Sequence, residues 1–255
     1  MPKESHPYVN DYHYHLQAAI YSLIREGGLP GVHQKEGYKF FCFSNIFPYG
    51  DFREGVERNL LVSSPDTRII ETIRRASISR LSSRDSVVVG EQRFAISSVS
   101  QPFTMDFVGP EVKVRSATPI VMRIPRKRYE EYGVEPRVDY DYVFWRETLP
   151  LGAFVKQLRD NMSKKLRDYC MMNSSTIVPG QDAELLPRMN YYNFIRTVSK
   201  PMALKGEKQI TIGSLWELGF VVDNTSQAEV LRILLDCGFG ERNSLGFGFL
   251  NLKSK

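Results

Sequence analysis

The sequence is poor in the residues that disulfide, metal and membrane chemistry require. Only three cysteines, Cys42, Cys170 and Cys237, occur in 255 residues, scattered and never in a C-x-x-C pair. That excludes a disulfide framework and a thiolate zinc site, and predicts reduced, buried thiols of an intracellular protein. The histidines number four, and two of them, His13 and His15, form an H-x-H pair. Two residues apart on a helix do not face one another, and no third ligand stands at a fitting spacing, so no metal is expected. No apolar run approaches a membrane span. The opening Met-Pro-Lys-Glu-Ser-His has no hydrophobic signal core, and the expectation is a cytoplasmic protein. Low-complexity linkers and sequence repeats are also missing, and Glu71, Glu130 and Glu131 make no paired-carboxylate pattern.

Among the features present, the net charge of +5 favours a polyanionic partner. The length suits one large domain or two small ones. Leu16, Ile20, Leu23 and Ile24 lie at i, i+4, i+7 and i+8, which predicts a first helix over 12–25 with Asp11 as a cap. Gly27-Gly28 ends it, and a loop carries His33. Strands are expected at 38–43 and 59–63. A helix follows from Pro65-Asp66, with Ile69, Ile70, Ile73 and Ala76 on its buried face, then short strands at 87–89 and 93–99. The second half shows strands at 111–115 and 119–124, a basic turn Arg126-Lys127-Arg128-Tyr129, and a long helix from near Pro150 to about Met171. Strands at 191–198 and 209–216, a helix over 225–237 and a last strand at 248–252 complete it. The helix-strand-strand-helix-strand order occurs roughly twice. That pattern predicts an α+β protein of two tandem ferredoxin-like domains, residues 1–112 and 113–255.

The most informative stretch is Gly238-Phe-Gly240-Glu-Arg242-Asn243-Ser244-Leu-Gly246-Phe-Gly248, in which four glycines frame a polar run. Backbone N–H groups in such turns can converge on an anion, and Arg242 adds a fixed positive fork. A dinucleotide fingerprint is excluded, because the third glycine is missing and the order is helix to strand rather than strand to helix. A glycine-rich turn without a ligand is the plain alternative.

This ungapped motif, followed by a hydrophobic strand, closely resembles the C-terminal loop of the Cas-six family. These are the CRISPR repeat-processing endoribonucleases of the wider RAMP group. Residues 12–21 resemble the family's first helix, and Ser116-Ala117-Thr118-Pro119-Ile120-Val121 its mid-chain strand. The resemblance implies two RRM-like, ferredoxin-like domains side by side. One departure stands out: family members begin with a hydrophobic strand, whereas about ten polar residues precede the helix here. Either the first sheet lacks its initial edge strand or another segment fills the place.

The resemblance further implies a catalytic trio, which falls on Tyr21, His33 and Lys39. The activity it implies is metal-independent cleavage of CRISPR precursor RNA within each repeat. The RNA's own 2′-hydroxyl would attack, leaving a 2′,3′-cyclic phosphate and a 5′-hydroxyl, with no cofactor. An imidazole suits the proton transfers because it titrates near neutrality, and a lysine suits the phosphorane oxygens. His33 is read as general acid or base, Lys39 as phosphorane stabiliser and Tyr21 as positioner. On the residues alone, core packing also explains Tyr21, an edge-strand charge explains Lys39, and an idle loop position explains His33.

CRISPR repeat RNA is the expected partner, with a CRISPR effector complex and a second copy of the chain left open. Its grip is assigned to Gly238, Gly240, Arg242, Asn243, Ser244, Gly246 and Gly248, and to Arg126, Lys127 and Arg128. Further basic stretches are Lys156, Arg159, Lys164, Lys165 and Arg167 on the long helix, and Arg74, Arg75, Arg80 and Arg84 around the second. The rival reading is a non-catalytic RNA-binding subunit of the same group. A ferredoxin-like module with a small-molecule role is more remote.

Overall fold

The computed structural model describes residues 1–8, 12–101, 111–135, 140–173, 185–204 and 207–253. In the second half, β5 (Glu111–Ser116), β8 (Arg188–Leu204), β9 (Glu207–Val221) and β10 (Leu250–Leu252) form one antiparallel sheet in the order β10-β5-β9-β8. The helices α4 (Leu151–Asn173) and α5 (Thr225–Cys237) lie between β5 and β8 and between β9 and β10 in the chain. That βαββαβ order is the ferredoxin-like arrangement. β5 alternates exposed and buried residues, with Val112 and Val114 facing the core, as a strand with one covered face must. Phe154, Leu158, Met162 and Leu166 of α4 and Val230, Leu231 and Leu234 of α5 pack there around Trp216 and Phe220.

Inserted between β5 and α4 is a small hairpin, β6 (Arg123–Pro125) with β7 (Tyr142–Phe144). It is followed from β6 by a 3-10 turn over Arg126–Arg128 and the short helix α3 (Tyr129–Tyr132). The expected strand at 119–124 is thus realised only from Arg123. Ile120 and Val121 instead make isolated bridges to Ser214 and Glu241.

The first half is more fragmentary. α1 (His13–Glu26) and α2 (Thr67–Ser83) pack with β1 (Cys42–Phe43), β2 (Val62–Ser63) and the hairpin β3 (Ser86–Val89)–β4 (Gln92–Ala95). Leu16, Ile20 and Ile24 join Phe41, Phe43, Phe52 and Ile69 in a second core. The strand expected at 38–43 shrinks to two residues, because Phe40 adopts φ 52° and breaks the extended run. The polar N-terminus forms no strand but lies along β4 and Phe52 through isolated bridges. Pro2 bridges Phe94 and His6 bridges Phe52, while Met1 and Ala95 exchange hydrogen bonds.

The halves meet through α4 and the glycine loop. Tyr169 donates to the Pro65 carbonyl at 3.0 Å and Asn161 to the Tyr38 hydroxyl at 3.3 Å. All three cysteines are buried thiols outside any disulfide, and among the described residues no helix is long and apolar enough to cross a membrane.

Candidate functional site

The loop that leaves α5 holds four glycines at positive φ, Gly238, Gly240, Gly246 and Gly248, together with Arg242 at φ 59°. A 3-10 turn, Asn243–Leu245, sits at its tip. The loop is packed against protein on its inner side. A Cβ on Gly246 would lie 2.5 Å from Phe43 Cε2 and 2.8 Å from His13 Cδ2. Both the left-handed backbone and the close approach therefore demand glycine there.

What holds the loop is a lysine. Lys165 lies in α4 at 2% exposure, although the charge pattern of that helix places it on a basic outer face. Its ammonium donates to the carbonyls of Gly238 at 2.5 Å and Gly240 at 2.6 Å, and to Asn243 Oδ1 at 2.6 Å. Three acceptors match the three donors of an ammonium. Burial pulls its pKa down to about 8. Asn243 completes the tie by donating to the Phe239 and Phe247 carbonyls, both at 3.0 Å. Asn243 is itself buried, so its side chain shapes the loop from within instead of reaching out to a ligand.

The structure brings Tyr21, His33 and Lys39 together beside this loop. Tyr21 projects from α1, with its ring edge-on to that of His33 at 4.8 Å between centroids and to Phe41 at 5.4 Å. His33 follows the 3-10 turn Pro30–Val32 and is exposed. Lys39 donates to the His33 carbonyl at 3.1 Å. Burial raises the pKa of the Tyr21 phenol, and nearby Ser244 of the glycine loop opposes that shift. Ser244 Oγ also accepts from Gln17 at 3.4 Å. Burial lowers the Lys39 pKa.

Lys39 lines a cleft of about 390 Å³ together with Arg123, Lys164, Arg242 and Ser244. Arg242 donates to Thr211 Oγ1 at 2.5 Å and lies 6.0 Å above the Phe144 ring. Its pKa is lowered by burial and by nearby Arg123. Arg123 is paired with Glu241 and lies 5.0 Å over the Tyr142 ring. Of the basic turn, Arg126 and Lys127 are exposed. Arg128 is held by Asp160 and Tyr132, which partly neutralises it, and none of the three lines this cleft.

Arg123 escaped the sequence reading, and Lys165 figures there only as one cation of the long helix's basic face, not as the support of the loop. A signal for Lys165 existed: it stands three residues after Met162 and seven after Leu158, on the helix's apolar stripe. Arg123 had none, since its role depends on a hairpin pairing. Lys200 is a third such case. Its ammonium reaches 3.1 Å from His13 Nδ1 and 3.3 Å from Asn45 Oδ1, and burial lowers its pKa to about 8. His13 is buried between Tyr12, at 4.8 Å, and Phe247, at 6.0 Å. Among the described residues no cluster of three metal-ligating side chains occurs.

Comparison with known proteins gives a consistent family. Residues 100–252 match the family described as CRISPR associated protein Cas6, C-terminal. The chain is 29% identical over 253 residues to a CRISPR-associated endoribonuclease Cas6 from Haloferax mediterranei, covering 97% of this chain and 89% of that one. It is also 29% identical over 238 residues to CRISPR-associated endoribonuclease Cas6 2 from Methanocaldococcus jannaschii, covering 92% and 90%. In fold it is similar to a solved RAMP protein binding different RNA substrates, with TM-score 0.67 at 19% identity over 100% of this chain and 97% of that one.

Proposed function

The chain belongs to the Cas6 family of CRISPR-associated proteins, and we propose that it is an endoribonuclease that cuts CRISPR precursor RNA within its repeats. One observation carries this reading: Tyr21, His33 and Lys39 converge, and Lys39 lines one cleft with Arg242 and Ser244 of the glycine loop. The relatives named as endoribonucleases support it.

In the proposed reaction the RNA lies in the cleft between Lys39 and Arg242. The 2′-oxygen attacks the adjacent phosphorus, an O2′–P bond forms and the P–O5′ bond breaks. The 2′-hydroxyl loses its proton and the leaving 5′-oxygen gains one, so the products are a 2′,3′-cyclic phosphate and a 5′-hydroxyl. His33 moves a proton at one of these two ends. Lys39 offers its ammonium to the phosphorane oxygens, and Tyr21, packed against Phe41, orients the reacting phosphate. No metal takes part. Residues 1–112 supply this trio and residues 113–255 the glycine loop, and the protein acts in the cytoplasm.

The test is end-labelled repeat RNA with the purified protein in excess EDTA, beside a substrate carrying a single 2′-deoxy nucleotide at the cut. A single cut in EDTA that the deoxy substitution abolishes is the expected result. Tight binding without a cut would make the protein a non-catalytic RNA-binding relative.

A further inference from the structure

We propose a second RNA-backbone site, in the cleft between the C-terminal half of α2 and the β3–β4 hairpin, that holds single-stranded RNA flanking the cut. It rests on the RNA-cutting function proposed above and extends it to a surface remote from the glycine loop in the chain.

The cleft encloses about 690 Å³ and is lined by Lys3, Arg75, Arg80, Arg84 and Arg93, against the acids Glu26 and Asp85. Its cations come from separate parts of the chain. The backbone N–H of Lys3 donates to the Arg93 carbonyl at 2.9 Å, which sets the N-terminus beside β4. Arg84 follows α2 in the left-handed conformation. Charge pairing uses up little of this potential. Arg80 is held by Glu26 at 2.7 Å, and Asp85 accepts from Ser83 at 2.6 Å. Lys3, Arg84 and Arg93 are exposed, and among the described residues none is within ion-pair distance of a carboxylate. Three exposed cations facing one concavity focus a positive potential.

The cleft also continues the candidate active site. The last turn of α1 is a shared wall: Arg25 lines the hollow that contains Tyr21 and His33, and the next residue, Glu26, lines the basic cleft. Arg75 spans the junction by donating to the Gly27 carbonyl. An RNA strand crossing this wall from His33 would pass from the hollow of Tyr21 to the cleft of the three exposed cations.

The lining identifies the ligand chemistry. It contains no aromatic side chain on which a base could stack, and its one exposed apolar residue is Val88. Cations without rings grip phosphates and read no bases. The site therefore takes the phosphodiester backbone, whatever the sequence.

The test uses the full chain with Arg84→Asn and Arg93→Gln combined, after thermal unfolding has checked the fold. Two RNAs are compared: a minimal repeat, and the repeat extended by about ten nucleotides on each side, within the reach of single-strand sites. For the extended RNA, affinity should fall about tenfold, and the slope of log Kd against log salt should drop by about 1.4, for two lost phosphate contacts. Affinity for the minimal RNA and the single-turnover cutting rate should not change, and replacing the flanks with a homopolymer should leave the effect intact. An unchanged slope would overturn the proposal. If the double variant unfolds, Lys3→Gln should lower the slope by about 0.7, and an unchanged slope there would overturn the proposal equally. Wild-type protein that binds the extended RNA but cuts neither would defeat the catalytic reading while leaving this one to the slope. Failure of the wild type to bind either RNA would defeat both.

Discussion

Lys165 and Asn243 lie 78 residues apart, and their side chains meet at 2.6 Å in the interior, where among the described residues no carboxylate is within ion-pair distance of the lysine. The pair joins α4 to the tip of the glycine loop. A buried ammonium without a counter-ion carries a desolvation cost, which three short charge-assisted hydrogen bonds offset. By accepting those bonds, the carbonyls of Gly238 and Gly240 are turned inward. The loop's shape thus comes from a helix behind it as well as from its own glycines.

Replacing Lys165 by Met removes the donors and leaves three buried acceptors unpaired. The expected cost is about 3 kcal/mol, a fall in Tm of roughly 6–12 °C. RNA affinity should weaken with it, because the loop loses its support. Thermal unfolding and RNA titration of the same variant check both. A variant as stable as the wild type would show that the loop holds its own shape.

Gly246→Ala should be harmful although it adds a single methyl group. At φ 81° an alanine is strained, and its Cβ would press on Phe43 and His13. A loss of about 2–3 kcal/mol is expected, together with weakened RNA binding. Gly246→Val should damage both further. Wild-type stability in the alanine variant would contradict the packing described.

His33→Ala should slow cutting by about 10²–10⁴-fold while leaving RNA affinity near that of the wild type. The side chain is exposed and supports no core contact beyond the face of Tyr21. Single-turnover cleavage and filter binding separate the two effects, and full activity in the variant would remove the catalytic assignment.

Ser244→Ala tests the link between loop and trio. Loss of the hydroxyl that lies near Tyr21 should reduce the cutting rate by about tenfold, the effect of roughly 1.4 kcal/mol, with little change in Tm. A rate equal to wild type would leave Tyr21 positioned by Phe41 alone.

Acid should destabilise the junction of α1 and the loop. Burial first, and Lys200 second, lower the folded-state pKa of His13 to about 3 from an ordinary 6.5. Between those values the unfolded chain binds the proton and the folded chain does not. Stability is therefore fully present above pH 6.5 and is lost as pH falls towards 3, with a slope of at most about 1.4 kcal/mol per pH unit from this residue. His13→Asn should flatten that part of the stability profile, as urea unfolding at a series of pH values would reveal. An unaltered profile would place the acid sensitivity elsewhere.

Much of the architecture follows from patterns a few residues long. The apolar stripe of Leu16, Ile20, Leu23 and Ile24 made α1 legible, because a period of 3.6 needs only local sequence. The glycine motif marked its loop for the same reason, since positive φ is a property of single residues. The resemblance it carries pointed to Tyr21, His33 and Lys39, which the fold brings together. Strand lengths were less legible. Residues 191–198 and 209–216 read as short strands, yet β8 and β9 run 17 and 15 residues, because pairing with a neighbour extends a strand beyond its own propensity. The polar N-terminus had no strand pattern at all, and only isolated bridges to Phe94 and Phe52 give it a place in the fold. Charge was the hardest to read. Lys164 and Lys165 are adjacent and chemically alike, but one is exposed and the other is buried behind the loop. The sequence by itself determined the periodic helices and the glycine turns, whose energies are local. Only the tertiary structure decided which cations face solvent and which hold the chain together, since burial depends on segments far apart in sequence.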